Sequence, residues 1–178
     1  MSKSLKIILW IVGSFISLLV VFILIGTFSS KTYHGSATVR LKAPIDKVWE
    51  VLTDVENVPK RRPEVKRVEI TGINDQGYKM WREYTDMGGF IDFEIVEHIS
   101  QEKMVVRMNR SSFGMTGQWV YEAAYVQDFY TAQGGESQTE LTITEDSTTN
   151  NIFVRTLMIL VGRDKNIRTE FETLKKVL

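Results

Sequence analysis

Few residues of this chain could carry out metal or nucleophilic chemistry. In 178 residues there are two histidines, His34 and His98, and no cysteine. A zinc site usually takes three or four nitrogen or sulfur ligands, and neither histidine has a ligand partner at helical spacing, so no metal is expected. Ser100 lies beside His98, but there is no G-x-S-x-G turn to present a nucleophile. His98 therefore reads as a surface or strand-end residue. Gly88-Gly89 and Gly134-Gly135 suit turns rather than phosphate cradles. Without thiols, disulfide frameworks, thiolate zinc sites and cysteine catalysis are all excluded. The sequence predicts no catalytic residue and no cofactor.

What remains is charge and aromatic surface in unusual places. Asp164 falls on an otherwise apolar helical line, where a buried carboxylate needs Arg or hydroxyl partners or takes a raised pKa. In the competing reading the helix turns slightly at Gly162 and leaves Asp164 near solvent, beside Arg163 or Arg168. Arg155 sits in an apolar stretch, where it could anchor an acidic headgroup or simply snorkel. Lys60, Arg61, Arg62, Lys66 and Arg67 form the densest basic cluster. It is a candidate membrane or anion contact, worth about 1 kcal/mol per residue near anionic lipid. Glu56, Glu64 and Glu69 lie among these bases, so a plain solvated face is the alternative.

Aromatic and methionine side chains punctuate the middle of the chain. Trp81, Tyr84, Phe93, Met104, Met108, Trp119, Tyr121 and Tyr125 are candidates to line a ligand cavity, with Phe153, Arg155, Leu157, Leu160 and Asp164 opposite. Such residues more often form plain core, and it is the thioethers, which adapt to irregular ligands, that raise the pocket reading. Trp119, Tyr121 and Tyr125 share one strand face.

These residues need elements to hold them, and the principal one is Asn150 to Leu178. Phe153, Leu157, Leu160, Ile167, Phe171, Leu174 and Leu178 recur at steps of about three and four, the spacing of one helical face. The stretch reads as a single long helix started by Ser147 to Asn150, with Lys175 and Lys176 at the negative end of its dipole. Its first half, Ile152 to Val161, is apolar nearly all round and should enter an apolar interior. The second half is striped and should lie across a sheet.

At the other end, Ile7 to Phe28 holds no charge and is long enough for a hydrocarbon core, which takes about 20 apolar residues. It exceeds the 7 to about 15 residues of a signal-peptide core, so an uncleaved transmembrane helix is expected. The division is a tail at 1–6, the span at 7–28, a linker at 29–35 and one domain at 36–178. The short leading tail favours a cytoplasmic N-terminus and an extracytoplasmic domain, although Lys31, Arg40 and Lys42 nearly balance Lys3 and Lys6. Beyond the anchor, 20 bases face 22 acids, a net of −2, which argues against a nucleic-acid partner. No sequence feature specifies a protein partner.

Between anchor and closing helix, Ser36 to Leu41 alternates as a strand, Pro44 opens a short helix, and Asp54 to Pro63 forms a second short helix or turn. Strands follow at Val65–Ile70, Tyr78–Thr85, Phe90–Ile99, Lys103–Asn109, Thr116–Val126 and Thr139–Thr144, separated by turn residues. Consecutive strands make an antiparallel sheet with the helices on one face, an α+β architecture.

The run Ala43-Pro44-Ile45-Asp46-Lys47-Val48-Trp49-Glu50-Val51-Leu52-Thr53-Asp54, then Val58-Pro59 and Pro63-Glu64-Val65-Lys66-Arg67-Val68, resembles the opening of the polyketide cyclase/dehydrase and lipid-transport family. That family belongs to the START-like, Bet v 1-like (SRPBCC) superfamily. Gly117-Gln118-Trp119-Val120-Tyr121, Thr139 to Thr144 and Ile167 to Lys176 extend the resemblance. It implies a helix-grip fold, with a seven-stranded antiparallel sheet wrapped around the C-terminal helix and an apolar cavity between them. Between Pro59 and Pro63 this chain has Lys60-Arg61-Arg62, where many relatives carry an aromatic that helps close the cavity. The resulting expectation is a membrane-anchored, non-enzymatic domain binding a lipid or other hydrophobic small molecule. A cyclase- or dehydratase-like enzyme, and an interaction module with a filled cavity, are the alternatives.

Overall fold

The computed structural model describes residues 2–126 and 137–178; the predicted Gly134-Gly135 turn lies outside them. The chain opens with helix α1, Lys3–Phe28, whose first turn is capped by the Ser2 hydroxyl accepting from the Leu5 amide. Among the described residues it is the one helix long and apolar enough to cross a membrane. At 1.5 Å per residue its 26 residues reach about 39 Å, against a hydrocarbon core of about 30 Å.

Strand β1, Thr32–Leu41, begins four residues earlier than its alternation suggested. Only Ser29 to Lys31 therefore separate α1 from the sheet. The extension is held by pairing with β7, Thr139–Thr149, from Thr32 opposite Thr148 onward. Hydroxyl pairs Ser36–Thr144 and Thr38–Thr142, both at 2.8 Å, lace the outer face of this edge.

Helix α2 (Ile45–Thr53), a 3₁₀ turn (Val55–Asn57) and the four-residue helix α3 (Val58–Arg61) follow β1. Then come β2 (Val65–Ile73), β3 (Lys79–Thr85), β4 (Phe90–Ile99), β5 (Lys103–Ser111) and β6 (Met115–Tyr125), leading into β7. The seven strands form one antiparallel sheet in the order β1-β7-β6-β5-β4-β3-β2. Register shifts at Val65/Arg67, Ile70/Gly72, Asp92/Phe93 and Ile95/Glu97 mark bulges, which bend strands and increase twist. The sheet is curled, and its inner face carries Trp81, Phe93, Met104, Tyr121, Leu141 and Ile143.

The C-terminal helical stretch is divided in two. Helix α4, Ile152–Val161, is capped by Asn151 Oδ1 accepting from the amides of Phe153 and Val154. It stops at Gly162, whose φ of 92° is open to glycine and strained for other residues. Helix α5, Lys165–Val177, then lies across the sheet, with Ile167, Phe171 and Leu174 buried in the core. The predicted stripe holds within each half, but the turn at Gly162 breaks the line between them. The first half does not enter the domain interior as expected; it packs against α1.

Thr139 fixes the junction opposite. It is fully buried, and its hydroxyl donates to the Ala43 carbonyl at 2.8 Å, tying the start of β7 to the β1–α2 corner. Thr139→Val keeps the shape and removes the donor, so urea unfolding should show a loss of about 1 kcal/mol.

Candidate functional site

Between the inner face of the sheet and α5, Leu52, Trp81, Phe93, Met104, Trp119 and Tyr121 surround a cavity of about 30 Å³. That is roughly the volume of one water molecule, against about 300–1,000 Å³ for pockets that take drug-sized ligands. The hollow that the family resemblance implied is present in position but nearly closed.

Charge closes it. Side chains of alternate strand residues share a face, so Glu83 points inward with Trp81. Glu170 falls on the buried face of α5 because it lies three residues after Ile167 and four before Leu174. Across from them, α3 ends in Arg61, with Arg62 as its C-cap. Arg61 Nη1 donates to Glu170 Oε1 at 2.6 Å, with side chains only 11% and 4% exposed. Arg62 donates through Nη1 to Glu83 Oε2 at 3.4 Å and through Nε to Glu64 Oε1 at 2.9 Å. Trp81 Nε1 donates to Glu83 Oε1 at 3.2 Å. Where an aromatic would close the cavity by bulk, two arginines close it by pairing with acids inside.

The electrostatics follow from this enclosure. Burial pushes the Glu83 carboxyl above the ordinary glutamate value, against the opposing pull of Arg62 and Trp81. Burial works against the Arg62 charge, but Glu83, Glu170 and Glu64 outweigh it and hold the guanidinium ionised. The Tyr121 phenol is pushed well above its usual value by burial. Arg61 Nε is buried without a hydrogen-bond partner, leaving an unused donor at the cavity wall.

A second polar cluster lies further along the same inner face. On β7 the buried positions run Thr139, Leu141, Ile143, Glu145, Ser147 and Thr149, so the surface turns from apolar to polar toward α4. Glu145 is 0% exposed, and neither carboxylate oxygen has a hydrogen-bond partner; Ser147 Oγ and Trp119 Nε1 are buried and unpartnered too. Burial raises the Glu145 pKa, while Ser147, Trp119 and Asn166 nearby pull it down by less.

Of the expected cavity residues, Trp81, Phe93, Met104, Trp119 and Tyr121 line the hollow together. Met108 is buried core beside it. Tyr84 lies on the opposite face of β3, under the Arg67 guanidinium at 4.0 Å and bonded to Glu69. Tyr125, at the end of β6, is exposed. Phe153, Leu157 and Leu160 point away from the cavity because α4 leaves the sheet, and Arg155 is buried against the Ser29 and Asn150 carbonyls. Asp164 lies at the surface and pairs with Arg168 at 3.1 Å, since the Gly162 turn carries it off the apolar line.

The basic cluster splits by the same logic. Arg61 and Arg62 face inward, while Lys60, Lys66 and Arg67 remain exposed. His98, at the end of β4, accepts from Trp49 Nε1 at 2.8 Å and stacks on its ring. The convex face carries a wider open groove of about 690 Å³, but its walls include the pairs Glu97–Lys103 and Glu94–Arg107. Such a surface offers little to an apolar molecule.

A curled seven-stranded sheet gripping a C-terminal helix over an internal cavity is the helix-grip arrangement of START-like proteins. The chain belongs to the polyketide cyclase/dehydrase and lipid transport family, whose pattern matches residues 33–178. The fold is similar to that of a START superfamily protein from Mycobacterium smegmatis, at 15% identity and a TM-score of 0.62, covering 80% of this chain and 94% of that one. It is also similar to the Zhui aromatase/cyclase from Streptomyces sp. R1128, at 19% identity and a TM-score of 0.66, covering 82% and 92%. Norcoclaurine synthase from Thalictrum flavum, crystallised as a point mutant with a transition-state analogue, aligns at 14% identity and a TM-score of 0.58 over 84% and 95%. At these identities the likeness establishes the fold alone. No curated protein matches the chain in sequence.

Proposed function

We propose that the protein is a membrane-anchored binding domain that takes a lipid or other apolar small molecule between its sheet and α5, without chemically altering it. The observation that carries this reading is a set of desolvated charges at the head of an apolar wall. Arg61, Arg62, Glu83 and Glu170 are buried around the cavity, with Arg61 Nε unused. A buried ion pair is often no more stabilising than apolar packing of the same volume, so stability alone gives little reason to keep two of them there. A ligand with an apolar body and one polar head uses both parts: the aromatic wall holds the body, and the guanidinium groups receive the head.

At about 30 Å³ the cavity admits such a ligand only when α3 lifts. This four-residue helix has Pro59 in its first turn and Pro63 just beyond its C-cap, and it joins α5 and β3 through the pairs of Arg61 and of its C-cap Arg62. It is the natural gate. Helix α1 fits the reading, since an anchored binder stays beside a supply of membrane-soluble cargo, and the short leading tail favours an extracytoplasmic domain.

Native mass spectrometry of the full chain, extracted in detergent and incubated with total lipid extract, tests the proposal. The expected result is an apolar adduct on the wild-type protein and at least about tenfold less on Arg61→Met/Glu170→Leu, a pair change that removes the polar receiver while keeping the wall apolar. Repeated recovery of unliganded wild-type protein would overturn it. One observation favours a second reading as an enzyme: Glu83, with its raised pKa, stands in the same cavity as Tyr121 and could act as a general acid. Recovery of a chemically altered adduct would favour that reading.

A further inference from the structure

After α1, helix α4 is the least economical part of the molecule if water surrounds it. Its ten residues include one charge, Arg155, and that guanidinium is turned inward onto the Ser29 and Asn150 carbonyls. Phe153, Leu157, Leu160 and Val161 are each at least half exposed. The first three fall at i, i+4 and i+7, a single outward stripe.

The neighbour of α4 identifies what covers that stripe. The start of α4 packs on α1 at Gly26, where a Cβ would collide with the Thr156 hydroxyl and the Ile152 carbonyl. The Thr156 hydroxyl bridges the Phe22 and Ile152 carbonyls at 2.9 and 3.0 Å, and the Phe22 and Phe153 rings lie 6.1 Å apart. Phe22 is six residues inside the end of α1, about 9 Å along its axis. The contact is therefore made within the uncharged stretch of α1, and the stripe of α4 continues the apolar surface of that helix. Polar residues bound it, with Asn150 and Asn151 before and Arg163, donating to the Ser30 and Thr32 carbonyls, after.

We infer that α4 is a second membrane-contacting element, lying in the outer part of the same bilayer that α1 crosses, with Phe153, Leu157, Leu160 and Val161 against the lipid chains. This rests on reading α1 as a retained anchor. Ten residues are too few to span the hydrocarbon but suit an element embedded near one interface. The membrane then holds the domain at two points, and the second is joined to the cavity helix α5 through Gly162, Arg163 and Asp164.

The absence of cysteine makes the test direct. Nitroxide labels are placed singly at Leu157→Cys, Leu160→Cys, Ile16→Cys in α1 and Gln76→Cys in the β2–β3 turn of the full chain. The variants are reconstituted in phosphatidylcholine/phosphatidylglycerol vesicles, and relaxation by oxygen is compared with relaxation by a water-soluble nickel chelate. Labels at positions 157 and 160 should fall on the lipid side with position 16, at a shallower depth, with oxygen relaxation favoured and nickel relaxation several-fold below that at position 76. Nickel access at 157 and 160 while 16 stays lipid-exposed would overturn the inference and leave the anchor standing. Shielding of 157 and 160 from both reagents would overturn it in favour of a protein partner or a second copy. Nickel access at position 16 would remove the anchor reading itself.

Discussion

Arg61→Met should lower the unfolding free energy of the full chain by about 3–5 kcal/mol, because it leaves Glu170 buried with its main partner gone. Glu170 is only 3% exposed, and its Oε1 accepts from Arg61 Nη1 at 2.6 Å. Removing the cation strands a carboxylate that water cannot reach, whereas removing both charges strands nothing. Arg61→Met/Glu170→Leu should therefore recover to within about 1 kcal/mol of wild type or exceed it. Urea unfolding in detergent micelles, followed by tryptophan fluorescence, to which Trp81 and Trp119 at the cavity wall contribute alongside Trp49 and Trp10, reads both variants. Equal losses in the single and double variants would show that the pair is not a closed buried unit, and the latch on α3 would lose its basis. A double variant that regains stability but takes up no lipid adduct would separate the pair's role in the fold from its role in binding.

Glu145→Gln should stabilise the protein at neutral pH, by something on the order of 1 kcal/mol, because it keeps the shape of the side chain but removes a charge whose burial is unfavourable. Burial raises the Glu145 pKa in the folded state. A carboxyl with a raised folded pKa contributes stability that is complete below its unfolded pKa and is lost as pH rises through the folded value. The variant's advantage should thus be near zero around pH 4 and grow toward pH 7 and 8. Glu83 pulls in the same direction, while Glu64 and Asp92, whose pKa values are lowered by Arg62 and by Arg82 respectively, pull in the opposite one as the solution is acidified. Subtracting wild-type from Glu145→Gln unfolding curves at each pH isolates the one group. A difference that stays flat from pH 4 to 8 would mean that Glu145 is ionised freely and that its two oxygens find partners in solution.

The two variants separate the inner face into parts with different physics. Around Arg61 and Glu170 the charges are matched, and the hollow they close is nearly filled by its own walls. Around Glu145, Ser147 and Trp119 the polar groups are unmatched. Both parts lie under one helical cover, α5 with the Gly162 turn, so a ligand that displaced α3 would meet the matched charges first.

The strand–helices–strands–helix order was legible in sequence because it depends on local periodicity. Alternation in β2 to β7 and the stripe Ile167, Phe171 and Leu174 required no knowledge of distant residues, and neither did the charge-free run of α1. Residue type marked Trp81, Phe93, Met104, Trp119 and Tyr121 as candidates, but periodicity did not say which strand face is concave, and Tyr84 and Tyr125, marked with them, lie outside the hollow. Glu83, Glu145 and Glu170 could have been found by parity, since Glu83 follows Trp81 by two, Glu145 follows Ile143 by two, and Glu170 falls between Ile167 and Leu174 on one helical face. Their charge was a misleading signal, because an isolated carboxylate belongs in water.

Only the tertiary structure decided that Arg61 and Arg62 turn inward, because the acids that make this favourable lie 21 and 109 residues away in sequence. It also decided the fate of α4. Composition marked Ile152 to Val161 as a buried segment, but not that it would leave the sheet and pack on α1. Gly162, by swinging the chain through a positive φ, placed that segment beside α1 instead of under the sheet.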